Sequence, residues 1–559
     1  AAGAIFDAGV TVYLGTGNTL QNAGLLSPGF YENVQTTSLT GNFVQTPAGT
    51  MGVDLNLLPE TNDNITSTGT ALVQGSVILN LLNPGEAQTG SHDAVIVHAD
   101  QGVTGHTGLG IVAIPSAVAT YKLIYPNPND IVLNYNIDYS PAGMNRNEHS
   151  LGTGVNEIET ARTSPAFVPI AAALFYQPNV KKLAAVYDNL SGEGTSAAEQ
   201  LAFTSDDHLM SAVDSEINTE MSDIDADGDL PVCGPGGAPQ SRVLNTHAGA
   251  GSPVCAEPWS RSTHFWASGY GFSSETAGQA STGSASVQAG GSAAMVGIDH
   301  WFQPNVVVGA ALAGGTSSYV VPARETTGTV YSTNIAAYGA WFAEHAYVNT
   351  ILDFGSYGNN ERRSAAIPGI NPPSLSGTPV PGIPGFSENL TAQYAGNSVG
   401  GQIETGWRMH GKLLSFTPFV ALRATSLETN PFTEYQVGGS PSQIGLSYAS
   451  RNVFSIPAFL GGQLDLSTPV NNVGRLRAWV RLAWMHDFAP YRTISTSFIS
   501  APGYNFTTLG ATPPRDSARI DTGMIFEIGA HVAFFGAFSG DVSGHDTSYT
   551  GSGGLNLRW

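Results

Sequence analysis

Charge is scarce in this sequence. Asp, Glu, Lys and Arg together make up 11% of its 559 residues, against roughly 25% in ordinary soluble domains. Basic residues are scarcest, 21 Lys and Arg against 43 Asp and Glu for a net charge of -22. That balance excludes a broad basic surface for nucleic acid. Cysteine is nearly absent: Cys233 and Cys255 flank "GPGGAPQSRVLNTHAGAGSPV". Two residues are too few for a structural zinc site by themselves, which leaves one disulfide in an oxidising compartment or two free thiols. No run approaches the ~18 consecutive apolar residues of a spanning helix. A transmembrane barrel is untouched by that absence, because its strands alternate and leave no hydropathy peak. The opening "AAGAIFDAGVTVYLGTGNTLQNAG" has neither an initiator Met nor the regions of a signal peptide, the expected look of a processed or truncated chain that begins inside a domain.

What is present favours strands and turns. The chain is 42% hydrophobic with 67 Gly and 20 Tyr, a composition suited to pleated segments joined by tight turns, and its length calls for more than one domain. Residues 1–144 read as short strands punctuated by Gly, Asn, Asp and Pro, as in "TTSLTGNFVQTPAGTMGVDLNLL" and "NITSTGTALVQGSVILNLLNPG". Their spacing fits the rungs of a β-solenoid, with a sandwich as the alternative. From 145 to 194 the spacing turns helical, in "VPIAAALFY" and "VKKLAAVYDNL". Between 195 and 221, Leu209, Met210, Val213, Ile217 and Met221 recur at three- and four-residue intervals, the mark of an amphipathic helix. Its charge is one-sided: Glu199, Asp206, Asp207, Asp214, Glu216 and Glu220 lie along it, and no Lys or Arg occurs between Lys182 and Arg242. Residues 222–261 form a Gly- and Pro-rich stretch that holds both cysteines.

From 262 to the end the period is two. In "RLRAWVRLAW", Arg475, Arg477 and Arg481 alternate with Leu476, Val480 and Leu482. In "VGGQIETGWRM", Glu404 and Arg408 oppose Ile403 and Trp407, and in "RIDTGMIFEI", Arg519, Asp521 and Glu527 oppose Ile520, Met524 and Ile528. Tight links at "FQPN", "EHA", "MHGK" and "EIGAH" alternate with connections as long as "NNERRSAAIPGINPPSLSGTPVPGIPGFSEN". Short turns on one side and long loops on the other, over about twelve strands, predict an outer-membrane β-barrel. The chain ends in "GSGGLNLRW", whose Leu555, Leu557 and Trp559 share one face. In a closed barrel this last strand pairs with the first and leaves no edge.

The segments "FWASGYG" (265–271), "GIDHWFQPNVVVGAALAGG" (297–315) and "RLAWMHDF" (481–488), with the aromatic end, resemble the translocator strands of bacterial autotransporters, the monomeric type V secretion class. "YSPAGMNRNEHSLGTGVNEI" and "VYDNLSGEGTSAAEQLAF" are similar to the end of many passengers and the segment that enters the pore. The resemblance implies a mainly β chain: a solenoid passenger, a helical region that helps the passenger fold, a helix through the pore, and a translocator barrel of about twelve strands. It implies outer-membrane lipid, the barrel-assembly machinery and periplasmic chaperones as partners, with Leu555, Leu557 and Trp559 as the assembly signal. It further implies a monomer that displays its passenger on the cell surface, where a host or surface ligand would meet it. Stretch 222–261 would then lie in the periplasm, where a Cys233–Cys255 disulfide can form. It is longer than the join in most relatives.

Inward alternation sets Arg408, Arg423, Arg475, Arg477, Arg481 and Arg519 into the lumen with Glu404, Asp521 and Glu527. Like charges in a narrow pore repel, and the acidic helix is the natural counter-charge. At 1.5 Å per residue it measures roughly 34 Å, enough to cross a hydrocarbon layer of about 30 Å. An exposed acidic face outside the pore is the alternative. Catalytic motifs are weak. "GNSVG" (396–400) matches G-x-S-x-G, but inside an alternating strand where Ser398 lacks a hydrolase elbow. "DIDADGD" sets Asp223, Asp225 and Asp227 at the first ligand positions of a calcium loop, yet Gly234 stands where the closing Glu belongs, so a solvated acidic linker is the simpler reading. The expectation is a display device with no cofactor and no enzymatic function of its own, carrying an adhesin-like stalk. The alternative is a passenger enzyme, an esterase or protease, encoded upstream of Ala1.

Overall fold

The computed structural model describes residues 3–227, 263–303, 305–371, 382–411, 414–470, 474–528 and 531–558, with backbone alone at 222–227. Cys233, Cys255 and Trp559 lie outside the described residues. From Ile5 to Ile137 the chain visits three sheets in turn. The first stacks Ile5–Ala8, Leu25–Pro28, Thr50–Asn56, Ser76–Leu82 and Gly110–Val112 in parallel. The second stacks Thr11–Tyr13, Thr36–Thr40, Asn64–Ser67 and Gly90–Ala99. The third stacks Thr19–Asn22, Asn42–Gln45, Ala71–Val73 and Val103–Thr104. Leu25 sits beside Thr50 and Thr50 beside Ser76, so one turn of the coil takes roughly 25 residues. Within a rung the alternation is plain. In Ser76–Leu82 the residues Val77, Leu79 and Leu81 point inward, and with Phe43, Met51 and Val73 they fill an apolar interior.

An antiparallel hairpin, Ala119–Ile124 with Asp130–Ile137, turns the second sheet around at the coil's end. Three helices then cover that end: α1 (Arg146–Ala161), α2 (Val168–Phe175) and α3 (Val180–Leu190). Asn145 opens α1 as an N-cap, its side chain accepting from the Glu148 amide while the Glu148 carboxylate accepts from the Asn145 amide, a reciprocal pair that satisfies two otherwise unbonded donors. Tyr139 and Tyr187 are buried where helices meet coil, and the Tyr187 hydroxyl donates to the Tyr139 carbonyl at 2.8 Å. At Gly85 the chain passes so close to α2 that a Cβ there would stand 2.2 Å from the Val168 carbonyl oxygen.

The barrel strands are β1 (Thr263–Thr276), β2 (Val287–Gln303), β3 (Val306–Val321), β4 (Thr326–Phe342), β5 (Ala346–Ile367), β6 (Phe386–Trp407), β7 (Leu414–Thr429), β8 (Pro457–Val470), β9 (Gly474–Asp487), β10 (Asp516–Ile528), β11 (Val532–Val542) and β12 (Asp546–Arg558). Each pairs antiparallel with the next, and β12 returns to β1, with Arg558 opposite His264 and Asp546 opposite Thr276. The edge that would attract another chain is thereby removed. Long excursions at 430–456 and 488–515 contribute a small sheet of Phe432–Thr433, Leu446–Tyr448, Thr493–Phe498 and Phe506–Leu509 at one mouth. Not every connection on that side is long: β3 and β4 are joined by 322–325 alone, and β11 and β12 by 543–545.

The barrel is polar inside and apolar outside. Leu352, Val399, Leu460, Leu482 and Met524 are exposed at 69%, 63%, 60%, 53% and 59%, whereas Asn334, Asn349, Glu361, Ser398 and Arg423 are buried. Val480 and Ile520 share the outer face and Leu476 is half-buried. Among the described residues no helix is long and apolar enough to cross a membrane, so the strands carry the apolar surface.

The barrel lumen as candidate functional site

One helix, α4 (Ser196–Asp227), runs through the barrel. It continues six residues past the expected end at 221, so the backbone at Asp223, Asp225 and Asp227 is helical and not the loop that a calcium site of that spacing needs. The expectation of an amphipathic helix needs a correction as well. Leu209, Met210, Val213, Ile217 and Met221 are buried, and so are Glu199, Asp206, Asp214, Glu216 and Glu220 on the remaining circumference. A helix enclosed all round shows both kinds of residue to a wall that answers each. At Gly400 the wall approaches so closely that a Cβ would meet the Met210 methyl at 2.8 Å, which explains a glycine facing inward there.

The acidic residues meet the wall in tiers. At the outer mouth, just before α4, Glu193 pairs with Arg324 (Nε to Oε1, 2.7 Å) and accepts from the Ala285 amide at 2.8 Å. Burial pushes its carboxyl up to about 7, against the pull of Arg324. Glu199 pairs with Arg451 from the 430–456 excursion. Asp206 accepts from Asn334 at 2.6 Å, Ser398 at 3.0 Å and the Tyr357 hydroxyl. Asp207 binds Arg423 and both terminal nitrogens of Arg519, at 3.2 and 3.1 Å. Asp214 accepts from Gln402 at 2.6 Å and Asn349 at 3.3 Å. Glu216 accepts from Asn556 at 2.8 Å, and Glu220 from the Trp301 indole at 2.7 Å.

The wall charges divide. Arg423 and Arg519 reach the helix. Arg481 does not: it forks onto Glu404 of the wall at 3.0 and 2.5 Å and stacks over Phe419. Arg477 pairs with Glu527 at 2.7 Å and donates to the Thr219 carbonyl at 3.3 Å, while Arg408 donates to the Met221 carbonyl at 2.9 Å. Asp521 joins Arg519 at 3.4 Å. Arg475, the second residue of β9, is half-buried, and no ion pair of it occurs among the described residues. Leu555 and Leu557 are half-buried on β12. Ser398 sits mid-strand on β6, bonded to Asp206 and the Tyr357 hydroxyl, in no strand-turn-helix setting.

Sequence reasoning missed His264, Asn334, Asn349, Tyr357, Arg324 and Arg451. Period-two phase along β1, β4 and β5 would have found the first four. Arg324 and Arg451 lie in a loop and in an excursion, where that phase does not reach. The lumen is filled unevenly. Opposite the wall nearest α4, a cavity of about 120 Å³ lies between the helix and Phe419, Phe459, Arg481, Arg519 and Thr550. What remains is a narrow passage lined by polar and apolar side chains alike and cross-linked by charge-assisted bonds.

Residues 265–539 match the family model of the autotransporter beta-domain. Among curated proteins nothing matches the chain. The translocator domain of autotransporter NalP from Neisseria meningitidis is similar at 17% identity over 53% of this chain and 88% of that one, with a TM-score of 0.39. The beta domain of the Bordetella autotransporter BrkA is similar at 13% identity over 53% and 98%, with a TM-score of 0.34. For the transport unit of AIDA-I from Escherichia coli the figures are 13%, 53%, 90% and 0.32.

Proposed function

We propose, from the premise that this chain belongs to the autotransporters and carries their β-domain in its C-terminal half, that α4 is the segment left in the pore after export and that it closes the channel. The barrel resides in the outer membrane and the passenger is exported to the surface. The observation that carries the reading is Asp207 bound to Arg423 and Arg519 in mid-lumen. One helical carboxylate, half-buried itself, holds buried arginines from two different strands, and leaving either arginine unpaired there would be costly. The passenger is an adhesin-like β-helix stalk, a reading supported by its stacked parallel rungs. Placement in the barrel brings lipid, and assembly brings the barrel-assembly machinery and periplasmic chaperones. A passenger enzyme upstream of residue 1 is the second reading.

Planar-bilayer conductance tests the plug. Deleting 195–221 should turn a nearly closed channel into a wide one, and an unchanged conductance would mean that the helix does not close the pore. Binding of the isolated surface region to cells or matrix, measured beside hydrolysis of ester and peptide substrates by the natural full-length protein, separates the stalk from the enzyme.

A further inference from the structure

At the inner end of the lumen, Glu216 and Glu220 stand one helical turn apart on α4 and share a face. His264, the second residue of β1, faces them from the wall, and all three are buried, at 5%, 1% and 1% exposure. One ligand atom from each lies within 4.8 Å of the others. Glu220 Oε1 is 2.5 Å and Asp299 Oδ1 3.3 Å from His264 Nδ1.

Each carboxylate is held by one oxygen and leaves the other over. Asn556 holds Glu216 Oε2, Trp301 holds Glu220 Oε2, and the Tyr338 hydroxyl holds Asp299 Oδ2 at 3.0 Å. Of the remaining oxygens, Glu220 Oε1 and Asp299 Oδ1 face His264 Nδ1, while Glu216 Oε1 and His264 Nε2 are buried without a hydrogen-bond partner. Three neutral donors thus orient three carboxylates, and the oxygens so freed surround one imidazole. Three buried carboxyl groups share this pocket with Arg558, whose guanidinium lies 3.6 Å from Glu220 with its side chain 30% exposed. Buried carboxylates in such excess call for a cation.

We propose that Glu216, Glu220 and His264 form a binding site for a divalent cation of the zinc class, with the Asp299 carboxylate facing the same ring nitrogen as Glu220 and adding to the negative wall of the site. The mixed nitrogen and oxygen donors suit zinc and its transition-metal neighbours, whereas calcium and magnesium take all-oxygen sets. Tetrahedral bonds of 2.0–2.2 Å place ligand atoms about 3.4 Å apart, which small side-chain shifts reach from the spacing seen. Two ligands come from the helix and one from the wall, so the ion staples α4 to β1. The site stands on these residues and does not depend on whether α4 closes the pore.

The test uses the full chain in detergent, carrying Cys233→Ser and Cys255→Ser so that thiols do not compete, with folding checked by heat-modifiable gel mobility. Zn²⁺ is titrated against a chromophoric chelator. One equivalent should bind, and His264→Ala and Glu216→Gln should each weaken binding at least about 10-fold. X-ray absorption at the zinc edge of the parent chain should show one imidazole among oxygen ligands, a readout that stands even where a variant fails to fold. No stoichiometric zinc, zinc held at parent affinity by a folded His264→Ala chain, or a first shell without imidazole would overturn the proposal. His264 would then serve as an imidazolium between Glu220 and Asp299.

Discussion

The solenoid and the barrel use one backbone rule in opposite senses. Both alternate with period two, so neighbouring side chains point to opposite faces. In the solenoid, Val77, Leu79 and Leu81 go inside and Ser76, Ile78, Asn80 and Leu82 between them are half-buried on the outer face. In the barrel, Leu352, Val399 and Leu482 go outside while Asn349, Ser398 and Glu404 go inside. The hydrophobic effect removes apolar surface from water in both. What differs is where the non-aqueous phase lies: in the coil it is the protein's own interior, and around the barrel it is lipid. The location of charge follows. An interior that excludes water tolerates a carboxylate only where bonds answer it, and the lumen supplies those bonds from every wall strand.

The sharpest way to break this comparison is at an acidic group that the apolar side does bury. Glu159 of α1 is 4% exposed against the end of the coil. Burial, set against the weaker pull of Arg162, pushes its carboxyl from 4.5 up to about 8. Below pH 4.5 it is protonated in folded and unfolded chains alike. Between about 4.5 and 8 the unfolded chain releases the proton while the folded one keeps it, so stability falls as pH rises and levels off above 8. The loss should be roughly 3–5 kcal/mol. Glu159→Gln keeps the shape and should lessen the slope, leaving the part that Asp63, buried in the coil and also pushed up to about 8, contributes; denaturant unfolding of the solenoid region from pH 4 to 9 reads it. An equal slope in the variant would place the effect elsewhere.

The mirror experiment belongs to the barrel's outer face. Leu482→Arg should cost roughly 2–4 kcal/mol if that position meets hydrocarbon, measured by reversible unfolding in lipid vesicles. Arg at Thr36, exposed on the solenoid, should cost within about 0.5 kcal/mol. Equal costs at the two positions would erase the distinction between the regions.

The same contrast explains what could be read from sequence. Barrel strands were legible because a wall one residue thick, with different solvents on its faces, imposes strict alternation. "RLRAWVRLAW" could hardly be anything else. The solenoid was legible only loosely, since its rungs vary: Gly110 pairs with Ser76 across a longer turn than the one that joins Ser76 to Thr50. Within the lumen, phase told which side a residue faces and nothing about its height. Arg423 and Arg481 therefore looked alike, although one meets Asp207 and the other Glu404. Register depends on strand tilt and stagger, which are properties of closure. The length of α4 was misjudged because the acidic run from Asp223 to Asp227 carries the composition of a linker.

The smallest expected effect lies where the two regions meet. Asn147 of α1 is 2% exposed and makes two bonds to one residue of the 488–515 excursion. Its amide nitrogen donates to the Leu509 carbonyl, and its oxygen accepts from the Leu509 amide, both at 2.8 Å. An asparagine there imitates a strand neighbour and ends the small sheet at the barrel mouth without leaving an open backbone edge. Around it, the tilted rings of Phe167 and Phe498 pack with centroids 5.1 Å apart, and the Thr163 and Tyr504 hydroxyls lie 2.7 Å apart. Asn147→Ala removes both partners of a buried N–H and a buried C=O, at a cost of about 1–3 kcal/mol. The packed rings remain, so the clasp should loosen locally rather than unfold the barrel. The expected result is faster protease cleavage within 488–515 on intact cells, with heat-modifiable mobility and the amount of barrel unchanged. Cleavage at the parent rate would mean that apolar packing alone holds the passenger's end against the mouth, and the two regions would then be joined by the solenoid's chemistry and not by the barrel's.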